Sequence, residues 1–95
     1  MSYKIVRTEN AGVFAGTVDS VDDINRTVVM SNSRRLWYWD GAATLSQLAM
    51  TGTSKPKDCK FPCAEKLKRV YQVIEIIDCT EEARKSIESV PVWSA

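Results

Sequence analysis

Apolar and polar positions alternate with a period of two along the N-terminal part of the chain, the signature of half-buried strands. Tyr3-Lys4-Ile5-Val6-Arg7 reads as a first strand and Val13 to Val18 as a second, with Glu9 to Gly12 as the turn between them. Gly16 within the second predicts a bulge or a point of close backbone approach. Asp19 to Asn25 is polar and acidic, as a hairpin loop is. Arg26 to Ser31 then predicts a third strand, Ser31-Asn32-Ser33 a turn, and Arg34 to Trp39 a fourth strand. Successive strands joined by short turns predict an antiparallel meander.

The period changes after Asp40-Gly41-Ala42-Ala43. Thr44 followed by Gln47 fits a capping box, so a short helix is expected from Leu45 to Met50. Leu45, Leu48 and Ala49 would rest on the sheet, and Gly52 would end the helix. Thr53 to Lys68, rich in Lys, Pro and Cys, reads as a loop. Val70 to Ile77 is the strongest strand signal, rich in β-branched residues with Gln72 and Glu75 interrupting the apolar run, and is expected at the centre of the sheet. Asp78 and Thr80 are alternative caps for a last helix that buries Ile87, with Glu81 and Glu82 at the positive end of its dipole. Val90 to Trp93 reads as an extended tail. The fold class is therefore α+β in one domain spanning 1–95, a small antiparallel sheet of about five or six strands with two short helices.

Chemistry concentrates in Arg34 to Gln47. On a strand, Arg35, Trp37 and Trp39 share one face and Arg34, Leu36 and Tyr38 the other. Aromatic faces stack on bases, and guanidinium forks pair with phosphate. The first-turn N–H groups of a helix at Thr44, with Ser46 and Gln47 as side-chain donors, would add a phosphate or ribose contact. Arg34, Arg35, Trp37, Tyr38, Trp39, Thr44, Ser46 and Gln47 are thus the candidate ligand-binding residues. The competing role for Trp37 and Trp39 is core filling, and for Thr44 to Gln47 ordinary capping.

Composition narrows the function further. The chain has no histidine, which removes Ser-His-Asp and Cys-His catalysis and imidazole metal sites. No catalytic residue, metal or cofactor is predicted. A net charge of +1 argues against nonspecific nucleic-acid binding, which needs many phosphate contacts. Cys59, Cys63 and Cys79 are odd in number and disfavour a closed disulfide framework. Lys55, Lys57, Lys60, Lys66, Lys68 and Arg69 form a basic cluster that is either a solvated face or the rim of an anion pocket completed by a second subunit. Apolar runs are too short to span a membrane and Met1 to Lys4 lacks the apolar stretch of a leader, so a cytoplasmic protein is expected. At 95 residues the core is thin, and oligomerisation would reinforce it.

The segment Arg-Arg-Leu-Trp-Tyr-Trp, followed by Gly-Ala-Ala and Leu-Ser-Gln-Leu-Ala, resembles a family of short phage-encoded proteins. The similarity extends through Ala11 to Gly16, Cys59-Lys60-Phe61-Pro62-Cys63 and Val90 to Trp93. The resemblance implies a phage origin and action in the infected bacterial host cell. Phage proteins of this size include sponges that sequester the cyclic nucleotides of antiphage signalling such as CBASS. A sponge of that type is a homo-oligomer, a dimer or tetramer, with pockets for bases and phosphates and no catalytic group. Two other functions fit the same residues: a blocker of a host protein, and a virion assembly protein.

Overall fold

The computed structural model describes residues 2–94. Strands β1 (Ser2–Thr8), β2 (Val13–Asp22) and β3 (Thr27–Arg35) form an antiparallel meander. Helix α1 (Leu45–Thr51) and a single 3₁₀ turn at Pro56–Asp58 follow. Strands β4 (Glu65–Val70) and β5 (Val73–Asp78) then lead into helix α2 (Glu81–Ser89). The five strands make one antiparallel sheet in the order β4-β3-β2-β1-β5. The predicted α+β class, with a small antiparallel sheet and two short helices, is the observed one.

Strand order forces the sheet to roll. β4 and β5 sit at opposite edges. A flat five-stranded sheet would separate them by about 19 Å. Only Tyr71 and Gln72 connect them, and the chain from Val70 to Val73 reaches at most about 11 Å. Both strands run in the same direction, so they act as one strand broken at Gln72, which holds a left-handed φ of 56°. Rolling encloses a core to which every strand contributes: Val6, Phe14, Val18, Val28, Met30, Val70 and Val73. The expectation of one central strand over Val70 to Ile77 is thus corrected, because its two halves close the two edges instead.

The opposite face of the sheet carries the helices. Tyr3, Ile5 and Ala15 pack there against Leu48 and Ala49 of α1, Ile87 of α2, Phe61 and Leu36. Thr44 caps α1 by accepting from Gln47 N at 3.1 Å, and Thr80 caps α2 by accepting from Ala83 N at 3.1 Å. Leu45 lies partly buried beside Leu48 and Ala49, and Gly52 ends the helix. The cysteines are free thiols, with Cys59 buried and Cys63 exposed. No helix among the described residues is long and apolar enough to cross a membrane.

Three local expectations change. Ser31-Asn32-Ser33 does not turn the chain; β3 continues through it, and Asn32 takes a left-handed φ of 51° within a bulge opposite Gly16. Asparagine tolerates that conformation, so the strand absorbs what reads as a turn. A Cβ on Gly16 would meet Ser33 Cα at 2.6 Å, which makes this both the predicted bulge and the predicted close approach. Second, the fourth strand expected over Arg34 to Trp39 is absent: β3 ends at Arg35 and only Tyr38 makes an isolated bridge, with Lys60. Third, the basic loop includes a strand, β4, paired to β3 from Val28 to Ser33.

Candidate functional site

Arg34 and Arg35 are neighbours with opposite fates, because side chains alternate at the end of β3. Arg34 turns inward and is 5% exposed. Its Nε donates to Pro62 O at 2.9 Å, Nη1 to Ile87 O at 2.9 Å and Val90 O at 2.8 Å, and Nη2 to Phe61 O at 2.6 Å and Pro91 O at 3.4 Å. The guanidinium therefore ties the end of α2 and the C-terminal tail to the Phe61 segment. Every edge of its donor fork is occupied by protein carbonyls, and none faces a ligand.

Arg35 faces outward. Its Cζ lies 4.6 Å from the centroid of the Phe14 ring, and its Nη1 donates to the carbonyl of Ala11. The loop between β1 and β2 makes that contact: Gly12, at φ 105°, brings the backbone so close that a Cβ there would lie 3.1 Å from Arg35 Nη1. Arg35 is thus pinned at one nitrogen, while its Nε and Nη2 find no acceptor among the described residues. A guanidinium held this way is oriented in advance for an anion.

Beyond Arg35 the chain stays extended, since Leu36 N donates to Val13 O at 2.8 Å. Arg35, Trp37 and Trp39 line one groove of about 390 Å³ together with Asn10, Ala11 and Val13, and Leu36, expected on the other face, lines it as well. Trp37 is 65% exposed, whereas Trp39 is half-buried against the helix-side core. Trp37 therefore offers a free face and Trp39 a fixed one.

The remaining predicted residues lie elsewhere. Tyr38 points away, where its ring and that of Trp93 flank the Lys60 ammonium at 5.8 and 5.7 Å. Gln47 Oε1 accepts from Ala43 N at 2.9 Å and Thr44 holds Gln47 N, so both side chains serve the cap. Ser46 is exposed on the same short helix. Asp40 and Gly41 are covered by the chain's own Thr53 to Lys55 segment, with Ser54 N donating to Gly41 O at 3.3 Å. None of Tyr38, Thr44, Ser46 or Gln47 reaches the groove.

A second groove of about 300 Å³ shares Asn10, Ala11 and Arg35 with the first and continues to Lys68, Arg69, Tyr71 and Gln72. Lys68 Nζ lies 4.4 Å from the Phe14 centroid, and Lys68 also pairs with Glu65. Sequence reasoning placed Lys68 at the end of a loop, with Arg69 in the basic cluster around it, and did not join them to Arg35. The available signal was the alternation of Lys66, Lys68 and Val70, which puts the lysines on the face of a core residue.

Fold and grooves together define a small rolled-sheet α+β domain with an aromatic and cationic surface. The chain belongs to the family described as a domain of unknown function, DUF6948, whose model matches residues 1–87. No curated protein and no solved structure matches it.

Proposed function

We propose that this protein binds and sequesters a nucleotide without transforming it. The observation that carries this reading is the meeting of Trp37, Trp39 and the pinned guanidinium of Arg35 in one groove. A base stacked on Trp37 gains about 1–3 kcal/mol, and the free edge of Arg35 is oriented for the attached phosphate. The groove lining supplies no carboxylate, thiol or hydroxyl, and the chain has no histidine, which favours capture over catalysis. With the phage resemblance, the fuller proposal is an anti-CBASS-type sponge for a cyclic oligonucleotide immune signal, acting as a homo-oligomer in the cytoplasm of an infected bacterium. Arg34, Tyr38 and the α1 cap stand outside the proposed contact set.

A second reading, a blocker of a host protein, draws on the exposure of Trp37 and Tyr38 at 65% and 49%, since Trp and Tyr are enriched at interface hot spots. Thermal melting against a panel of cyclic di- and trinucleotides separates the two. A ligand at a hundred times its Kd stabilises the fold by about 2.7 kcal/mol. The sponge reading expects a raised Tm and recovery of intact ligand after heat denaturation. Recovery of altered ligand would make the protein an enzyme. Absence of any shift across the panel would overturn nucleotide capture and favour the blocker.

A further inference from the structure

We infer that the groove holds a second, cationic subsite built by Lys68, Arg69 and Tyr71, so that the ligand is a dinucleotide rather than a mononucleotide. This rests on the nucleotide reading above and deepens it by assigning residues to a second base and its phosphate. Arg35 joins the two grooves, because it lines both along with Asn10 and Ala11. The tryptophans lie to one side of it and Tyr71 to the other. The cleft therefore offers ring, cation and ring in series, the order in which a dinucleotide presents base, phosphate and base.

The cations are packed unusually close. Arg35 Cζ and Lys68 Nζ both approach the ring of Phe14, at 4.6 and 4.4 Å. They are consequently within about 9 Å of each other, near a Debye length and only partly screened. Arg69 adds a third positive charge to the lining. One carboxylate, Glu65, answers Lys68 from outside the groove, and no acidic residue lines either groove. Such a cluster repels itself in the free protein and is relieved by a ligand with more than one negative charge.

Tyr71 completes the far end. It is 58% exposed at the break between β4 and β5, where the left-handed backbone of Gln72 turns the chain. Side-chain amides stand beside it, with Asn10 Nδ2 donating to Gln72 Oε1 at 3.4 Å. Amides of this kind read base edges. Ring and amides thus repeat on the β4 side what the tryptophans provide on the other.

Calorimetric titration of cyclic diguanylate and cyclic diadenylate against GMP and AMP tests this, using the wild-type chain, Arg69→Ala and Tyr71→Ala. Both variants alter exposed side chains, and circular dichroism checks that they fold. The expected result is a dinucleotide bound at least about tenfold tighter than its mononucleotide, with each variant lowering dinucleotide affinity about five- to tenfold and leaving mononucleotide affinity unchanged. Unchanged dinucleotide binding in both variants, or equal affinity for mono- and dinucleotide, would overturn the second subsite while the nucleotide reading stood. Tighter binding of a single-stranded RNA hexamer than of any dinucleotide would replace the two-base ligand with a linear strand. No binding of any nucleotide would overturn the underlying reading, and this inference with it.

Discussion

A guanidinium carries five N–H donors, and what it does depends on how many acceptors the fold brings to it. Arg34 meets five backbone carbonyls and serves as an internal clamp. Replacing it with alanine strips partners from buried carbonyls, each worth about 1–3 kcal/mol when left unsatisfied. Arg34→Ala is therefore expected to lose more than about 3 kcal/mol in urea denaturation, and Arg34→Lys to recover little of it. A loss under about 1 kcal/mol would contradict the clamp. Tyr3 shows the reverse case: its hydroxyl is buried without a hydrogen-bond partner among the described residues. Burial, then the nearby Glu88 carboxylate, pushes its pKa above the ordinary 10.0, and burial pushes the Cys79 thiol from 9.0 up to about 11. Both groups hold their protons more tightly when folded. Their contribution to stability is complete below about pH 9; that of Cys79 is lost as pH rises through about 11, and that of Tyr3 at higher pH still. We expect Tm to fall over that alkaline range, and Tyr3→Phe to be at least as stable as wild type at pH 7 with a shallower alkaline fall. A Tm that rises with pH there would contradict this assignment.

At the scale of elements, the bulge at Gly16 and Asn32 lets β2 and β3 bend enough to close the sheet. Gly16→Ala drives a Cβ to 2.6 Å from Ser33 Cα, both partners being backbone-anchored, and is expected to destabilise by at least about 2 kcal/mol. Wild-type stability in that variant would show that the bulge relaxes freely. Much of this level was legible: β1, the start of β2, the Thr44 cap and the buried Leu48, Ala49 and Ile87 follow directly from periodicity and capping chemistry, and the structure chooses Thr80 over Asp78 as the cap of α2. The break between β4 and β5 was not legible, because Val70 to Ile77 is mostly β-forming and the polar Gln72 reads as an interruption of one strand rather than its end. In the structure Val70 and Val73, three positions apart, both point into the same core. A regular strand would send them to opposite faces. The β3 bulge was hidden for a related reason, since asparagine between serines carries the chemistry of a turn and only tertiary pairing makes it a bulge.

For the whole molecule, two cores share one sheet, and the proposed site lies where the β1–β2 loop, the end of β3 and the β4–β5 break converge. That Arg35, Trp37 and Trp39 share a groove was readable in the sequence; that no strand carries them and that Leu36 joins them was not. The cationic half was not, because Lys68, Arg69 and Tyr71 are remote in sequence and join Arg35 only once the sheet rolls. The central claim is that the Trp37–Trp39 groove holds a nucleotide. The three tryptophans give three indole N–H signals, assignable by single replacement, in a ¹H–¹⁵N correlation spectrum titrated with a cyclic dinucleotide. The account predicts that Trp37 and Trp39 shift together and saturably while Trp93, beside Lys60 and away from the groove, stays in place. Stationary Trp37 and Trp39 signals at millimolar ligand, or a shift confined to Trp93, would contradict it.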